Sequence, residues 1–276
     1  MSKKTGVQVK AFFASDYAGV IEGMRFKKVD IAWYGNKSAM EAVDRANGEV
    51  FAQTVDKDGN PGYWSHIIVH ESSPFKTLDD VLKCDKTLDF GIGDPNSTSG
   101  FLVPTTFIFS ARGIDPKTCF KTVRNGNHEA NGLAVANKLV SLATNNSESL
   151  ARLAKTAPDK AKQIRVIWTS PLIAADPLVW RKDLDEATKK KVADFILSYG
   201  TKDEGERKIL AALSWAPFRK SDNTQLLPIR QMEVDKAIAK IRSDASLSDA
   251  DKKAKIAPLQ AQFDDLGKQI AALKKG

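Results

Sequence analysis

Ser97, Thr98 and Ser99 place three hydroxyl donors in a row within Gly93-Asp94-Pro95-Asn96-Ser97-Thr98-Ser99-Gly100-Phe101. The run Thr87 to Gly91 ahead of them reads as a buried strand, Pro95 stops its ladder, and Phe101-Leu102-Val103 can open a helix. The first N–H groups of a helix have no acceptor inside it, and with the positive end of the dipole they favour an oxyanion of phosphate type. The same residues suit a plain N-cap, the commonest use of Ser, Thr and Asn before a helix. On the tripeptide alone the plain N-cap is favoured.

Four further residues could join such a site. Tyr63 follows the Pro61-Gly62 turn and carries a hydroxyl that can donate to an anion or simply fill a junction. His128, in Asn125-Gly126-Asn127-His128-Glu129, sits where a turn opens a helix; there it can donate to an oxyanion and hold a share of positive charge. Glu148 and Asp176 would form a cation seat if they faced the same space. Each also has a plainer use, Glu148 as a first-turn helix carboxylate and Asp176 as a turn residue before Pro177.

No catalytic signature accompanies these residues. The chain lacks G-x-S-x-G, H-E-x-x-H, G-x-G-x-x-G and the G-x-x-x-x-G-K-[ST] phosphate loop. Gly91-Ile92-Gly93 is half of a dinucleotide fingerprint. Ser97, His128 and an acidic residue could assemble a hydrolase triad acting on phosphate esters or acyl groups. Three adjacent hydroxyls suit static capture of several oxygens better than one activated nucleophile, and no cofactor or metal is expected.

The elements that must position these residues alternate strand and helix. Val7 to Phe13 alternates like a strand, Asp16 to Phe26 reads as a helix capped by Ser15 or Asp16, and Val29 to Trp33 as a second strand. A helix over 36–46 ends at Asn47-Gly48, with Gly as the left-handed stop. Val50 to Val55 is a strand, and Asp58-Gly59-Asn60-Pro61-Gly62 has turn chemistry. The middle third repeats the rhythm to Ala143, and β-rich crossings near 63–69 and 164–173 divide two α/β lobes with a cleft between them.

From Glu233 onward strands disappear. Ser248 with Asp251 makes a capping box, and Leu259, Phe263, Leu266, Ile270 and Leu273 lay one apolar stripe on a helix. The stripe needs a partner surface, the chain's own first lobe or a second copy.

The chain has 276 residues, 42% of them hydrophobic, enough for large cores. No apolar run approaches the roughly 20 residues that span a bilayer. Net charge is +8, yet basic residues alternate with acidic ones, as in Lys182-Asp183-Leu184-Asp185-Glu186, so no nucleic-acid partner is expected. Cys84 and Cys119 match no metal spacing and can pair or stay free. The N-terminal segment lacks the apolar core and cleavage site of an export signal.

Several segments carry a family resemblance: Asp16-Tyr17-Ala18-Gly19-Val20-Ile21-Glu22-Gly23, Asp30-Ile31-Ala32-Trp33-Tyr34-Gly35, Gly62-Tyr63-Trp64-Ser65, Gly93 to Gly100, and Ser170-Pro171-Leu172-Ile173 with Asp176-Pro177. Together they resemble the phosphonate-binding proteins of ABC transporters, nearest to the 2-aminoethylphosphonate type. The resemblance implies a two-lobed class II periplasmic binding protein fold, α/β, with two crossing strands and a C-terminal helical extension. Its lobes would be 1–66 with 174–232 and 67–173, and the extension 233–276. The family's export signal, first strand and first helix have no counterpart before Lys3.

By the same resemblance Tyr63, Ser97, Thr98, Ser99 and His128 hold phosphonate oxygens, and Tyr17, Glu148 and Asp176 hold the amine. The implied partners are a small phosphonate, membrane permease subunits and a second copy through the C-terminal helices, in the periplasm. A binder of phosphate, phosphite or a simple alkylphosphonate would share the anion seat without using the acidic pair.

Overall fold

The computed structural model describes residues 1–60 and 62–273, and Pro61 of the expected turn lies outside the described residues. Eleven strands follow one another among the described residues: β1 (Ile31–Trp33), β2 (Gly48–Asp56), β3 (Gly62–Tyr63), β4 (Ser65–His70), β5 (Asp89–Gly93), β6 (Thr122–Gly126), β7 (Leu142–Asn146), β8 (Ile164–Thr169), β9 (Ile173–Ala174), β10 (Pro177–Arg181) and β11 (Trp215–Lys220). They fall into two compact units. The first is Met1–Trp64 with Leu172–Gln225, and the second is Ser65–Pro171 with everything described from Leu226 on.

In the first unit an antiparallel sheet has the order β1-β10-β2-β11, and β3 pairs separately with β9. Phe51 of β2 stacks on Trp180 of β10 with ring centroids 4.0 Å apart, and Val192 from the helix Glu186–Ser198 closes that core. The helix Tyr17–Arg25 starts where expected because the Asp16 carboxylate accepts from the Gly19 N–H at 2.8 Å.

Two local expectations fail here. Val7 to Phe13 forms no strand: no neighbouring strand offers it a ladder, and Phe13 stays 91% exposed. Alternation marks a strand only where one face finds a core. The second helix, Asn36–Arg45, is followed by Asn47 at φ 54°, so asparagine and not Gly48 takes the left-handed position. Gly48 opens β2 for a different reason, since a Cβ there would lie 2.8 Å from Val179 and 3.0 Å from the Ala42 backbone.

The second unit holds a five-stranded sheet of order β6-β5-β7-β4-β8, in which β5 is parallel to β6 and β7 while β4 is antiparallel to β7 and β8. Its core centres on Phe90, with Phe109 and Phe120 at 5.6 and 4.7 Å between ring centroids. Cys119 of the same core forms a disulfide with the exposed Cys84. Residues 98–112 make one continuous helix that is wound widely over Thr98–Leu102 and Thr105–Phe109. Pro104 inside it cannot donate a backbone hydrogen bond, a recognised cause of such irregular winding.

The C-terminal helices Leu227–Ser243 and Asp249–Leu273 pack on each other, and the first also meets the 98–112 helix. Leu259, Phe263 and Leu266 of the stripe cover Val234 and Ile238. The stripe therefore docks within the second unit, not on the first lobe. The expected first lobe ran to 232; in the structure the chain joins the second unit from Leu226, because the 227–243 helix covers the 98–112 helix. No described helix is long and apolar enough to cross a membrane.

Candidate functional site

Each of the three parallel strands β5, β6 and β7 ends in a turn that opens a helix, and each turn carries a candidate residue. Register places Gly93 of β5 beside Gly126 of β6, and Gly91 beside Ala143 of β7, so the three ends lie side by side. After β5 the Ser97 hydroxyl accepts from the Gly100 N–H at 2.9 Å. After β6 the Asn127 side chain accepts from Ala130 N–H at 2.8 Å and makes His128 the first residue of the helix His128–Ala136. After β7 the Asn146 side chain accepts from Ser149 N–H at 2.7 Å, which puts Glu148 in the first turn of the helix Ser147–Thr156. Carboxyl ends of parallel strands with helix starts beside them are the usual ligand position in α/β sheets.

Ser97 is thus an N-cap, as its plainer use required, and it stands at this sheet end as well. Its hydroxyl also lies 3.3 Å from His128 Nε2. Asn146 Nδ2 donates to the Ser99 hydroxyl at 3.0 Å, so that hydroxyl, already accepting, has its own proton to give. Ser97, Thr98 and Ser99 are all at most 2% exposed. A Cβ on Gly93 would lie 2.5 Å from Gly100 Cα, so strand end and helix start touch backbone to backbone.

His128 is half-buried, its Nδ1 is buried without a hydrogen-bond partner, and Asn145 Nδ2 donates to its carbonyl at 2.9 Å. Burial, reinforced by the Arg152 charge, lowers its pKa from 6.5 to about 4. The imidazole is neutral at pH 7 in this form. The share of positive charge expected of it is absent, and what it offers is a ring N–H.

In the first unit Tyr63 lies on β3 opposite Ile173 of β9 and is 3% exposed. Asp176 follows β9 and is 6% exposed. Its carbonyl accepts from Thr54 N–H at 2.9 Å and from the Thr54 hydroxyl at 3.2 Å, which fixes the turn to β2. Tyr17 is half-buried at the start of the helix Tyr17–Arg25. The structure therefore gathers Ser97, Thr98, Ser99, His128 and Glu148 at one sheet end, and Tyr63 with Asp176 on the β3–β9 pair and the turn after it.

Sequence reasoning missed the amides that hold these parts. Asn36, fully buried, donates to Ala174 O at 2.8 Å, lies 3.5 Å from Asp176 Oδ1, and accepts from Gln225 Nε2 at 2.8 Å. Asn145 and Asn146 do the same for His128 and Ser99. The one available signal was a pair of asparagines closing a strand that opens on Leu142 and Ala143.

The profile of the family described as "ABC transporter, phosphonate, periplasmic substrate-binding protein" matches residues 1–226. The phosphonates-binding periplasmic protein of Escherichia coli is 56% identical over 99% of this chain and 80% of its own length. A probable phosphite-binding protein of an ABC transporter from Prochlorococcus marinus is 27% identical over 88% of this chain and 82% of its own. The crystal structure of a binding-protein component of an ABC phosphonate transporter from Pseudomonas aeruginosa superposes with a TM-score of 0.96 at 52% identity, covering 99% of this chain and 90% of that one. These likenesses set aside the hydrolase alternative for Ser97. The chain belongs to the periplasmic substrate-binding proteins of ABC phosphonate transporters and is a binding protein, not an enzyme.

Proposed function

We propose that the preferred ligand is 2-aminoethylphosphonate, delivered to the membrane permease of the importer. The hydroxyls of Tyr63, Ser97, Thr98 and Ser99, with the His128 ring, take the phosphonate oxygens, and Tyr17, Glu148 and Asp176 take the ammonium. The supporting observation is the row of three helix starts at the ends of β5, β6 and β7. Two of them present neutral donors and the third presents a carboxylate, so anion and cation seats arise on one scaffold. Asp176 is a second, buried carboxylate. Carboxylates that attract an ammonium repel a second phosphate-type charge, which is the basis for discriminating against plain phosphate.

An ion held by so many charge-assisted bonds binds at about micromolar or tighter, about −8 kcal/mol. Pairing of two copies through the C-terminal helices would use what the stripe leaves outside, Leu273 included, which is 51% exposed; sedimentation velocity at two concentrations distinguishes a pair from a monomer.

The test of the ligand is Glu148→Gln combined with Asp176→Asn. The double variant should lose 2-aminoethylphosphonate affinity by about a hundredfold, two charge-assisted bonds at the low end of their range, while methylphosphonate changes little. Equal losses for both ligands would contradict the amine assignment.

A further inference from the structure

Pro104 removes a donor from the helix that carries the Ser97-Thr98-Ser99 turn, and two buried hydroxyls replace it. Leu102 N–H donates five residues back, to Ser97 O at 3.1 Å, and Val103 N–H likewise to Thr98 O. The next bond of that series would run from residue 104 to Ser99 O, and an α-helical turn would bring the same nitrogen to Gly100 O. Proline has no N–H, so neither bond can form. Buried carbonyls rarely go without a donor. Here Ser65 Oγ donates to Ser99 O at 2.6 Å and Thr144 Oγ1 to Gly100 O at 2.7 Å.

Both hydroxyls come from paired strands. Ser65 on β4 is the register partner of Asn146 on β7, Ile67 is the partner of Thr144, and residues two apart share a face. Ser65 and Thr144 are each fully buried. Asn146 binds the Ser99 side chain while Ser65 binds the Ser99 carbonyl, so one cross-strand pair grips the residue at both ends. We propose that Ser65 and Thr144 are positioning residues for the anion-binding turn, standing in for the N–H that Pro104 lacks. This rests on the phosphonate reading of that turn.

The experiment compares Thr144→Val, Thr144→Ser, Pro104→Ala and the double variant Pro104→Ala with Thr144→Val. Calorimetric titration of 2-aminoethylphosphonate should give a Kd about tenfold weaker in Thr144→Val, near wild type in Thr144→Ser, and recovered in the double variant. Recovery is the specific readout, because Pro104→Ala returns an N–H within reach of the Ser99 and Gly100 carbonyls, whereas two merely destabilising changes would add. Hydrogen exchange of the Leu102 and Val103 amides in ligand-free protein reads the same positioning without a ligand. Exchange should speed up about tenfold in Thr144→Val and slow again in the double variant.

If Thr144→Val fails to fold, Ser65→Ala, which frees the Ser99 carbonyl alone, is measured in the same two ways with the same expected direction. If the wild-type chain ignores phosphonates, the functional reading fails by itself and the exchange measurement still decides the positioning. Unchanged affinity and exchange in the folded single variants, or a double variant no better than Thr144→Val, overturns the proposal.

Discussion

A methyl group on Gly93 has nowhere to go. It would lie 2.5 Å from Gly100 Cα and 2.6 Å from Gly100 C and O, where ordinary contact begins near 3.4 Å. These neighbours are backbone and cannot rotate aside, so Gly93→Ala must push the start of the 98–112 helix off the end of β5 by about an ångström. Overpacking of this kind costs about 1–3 kcal/mol of stability. The hydroxyls of Ser97, Thr98 and Ser99 move with that turn, and an ångström of misplacement is worth roughly a hundredfold in affinity, about 2.7 kcal/mol. Calorimetric titration of 2-aminoethylphosphonate, with thermal unfolding in the presence and absence of ligand, separates the two effects. Wild-type protein at a hundred times its Kd gains about 2.7 kcal/mol from the ligand, and the variant should gain about 0.4 kcal/mol at the same concentration. A folded Gly93→Ala protein with lowered stability and wild-type affinity would refute the idea that this backbone contact sets the anion seat.

Because the pKa of His128 is depressed from 6.5 to about 4, the unfolded chain binds a proton in that window that the folded chain does not. Stability should therefore fall as pH drops from 6.5 toward 4, by up to about 1.4 kcal/mol per pH unit, and urea titrations of His128→Asn should show a shallower slope. Cys84 and Cys119 are 35 residues apart, so replacing both with alanine should cost about 4 kcal/mol on the loop-entropy estimate, measured by chemical denaturation. Leu266 is 6% exposed between the C-terminal helices. Leu266→Ala should cost about 3 kcal/mol and speed proteolysis of those helices, with phosphonate affinity within about twofold of wild type.

What the sequence disclosed, and what it hid, follows from the range of the interactions. The Asp16 cap, the Ser248 cap, in which Asp251 N–H donates to Ser248 Oγ at 3.1 Å while the Asp251 carboxylate accepts from that hydroxyl and not from the Ser248 N–H of a full box, and the three-hydroxyl helix start are made by residues within three positions of one another. Such contacts are legible in a linear pattern. Val7 to Phe13 misled because alternation is necessary for a half-buried strand but says nothing of whether a neighbour exists. The apolar stripe of Leu259, Phe263 and Leu266 was plain, but its partner helix, 227–243, was not, since two amphipathic faces give no direction of approach. Ser65 and Thr144 were invisible for the same reason: their importance depends on strand register and on a proline about forty residues away. His128 could be placed at a helix start from its flanking turn, whereas its neutral state depends on packing that only the folded chain creates.

The central claim is that this chain binds an amine-bearing phosphonate in preference to phosphate. Purified protein, freed of carried-over ligand by partial unfolding and refolding, should be titrated calorimetrically with 2-aminoethylphosphonate and with phosphate. Binding of the first at micromolar or tighter Kd, with phosphate at least a hundredfold weaker, is the expected result. Equal affinity for the two, or binding of phosphate alone, would contradict the role given to Glu148 and Asp176 and leave only the anion seat at the ends of β5 and β6.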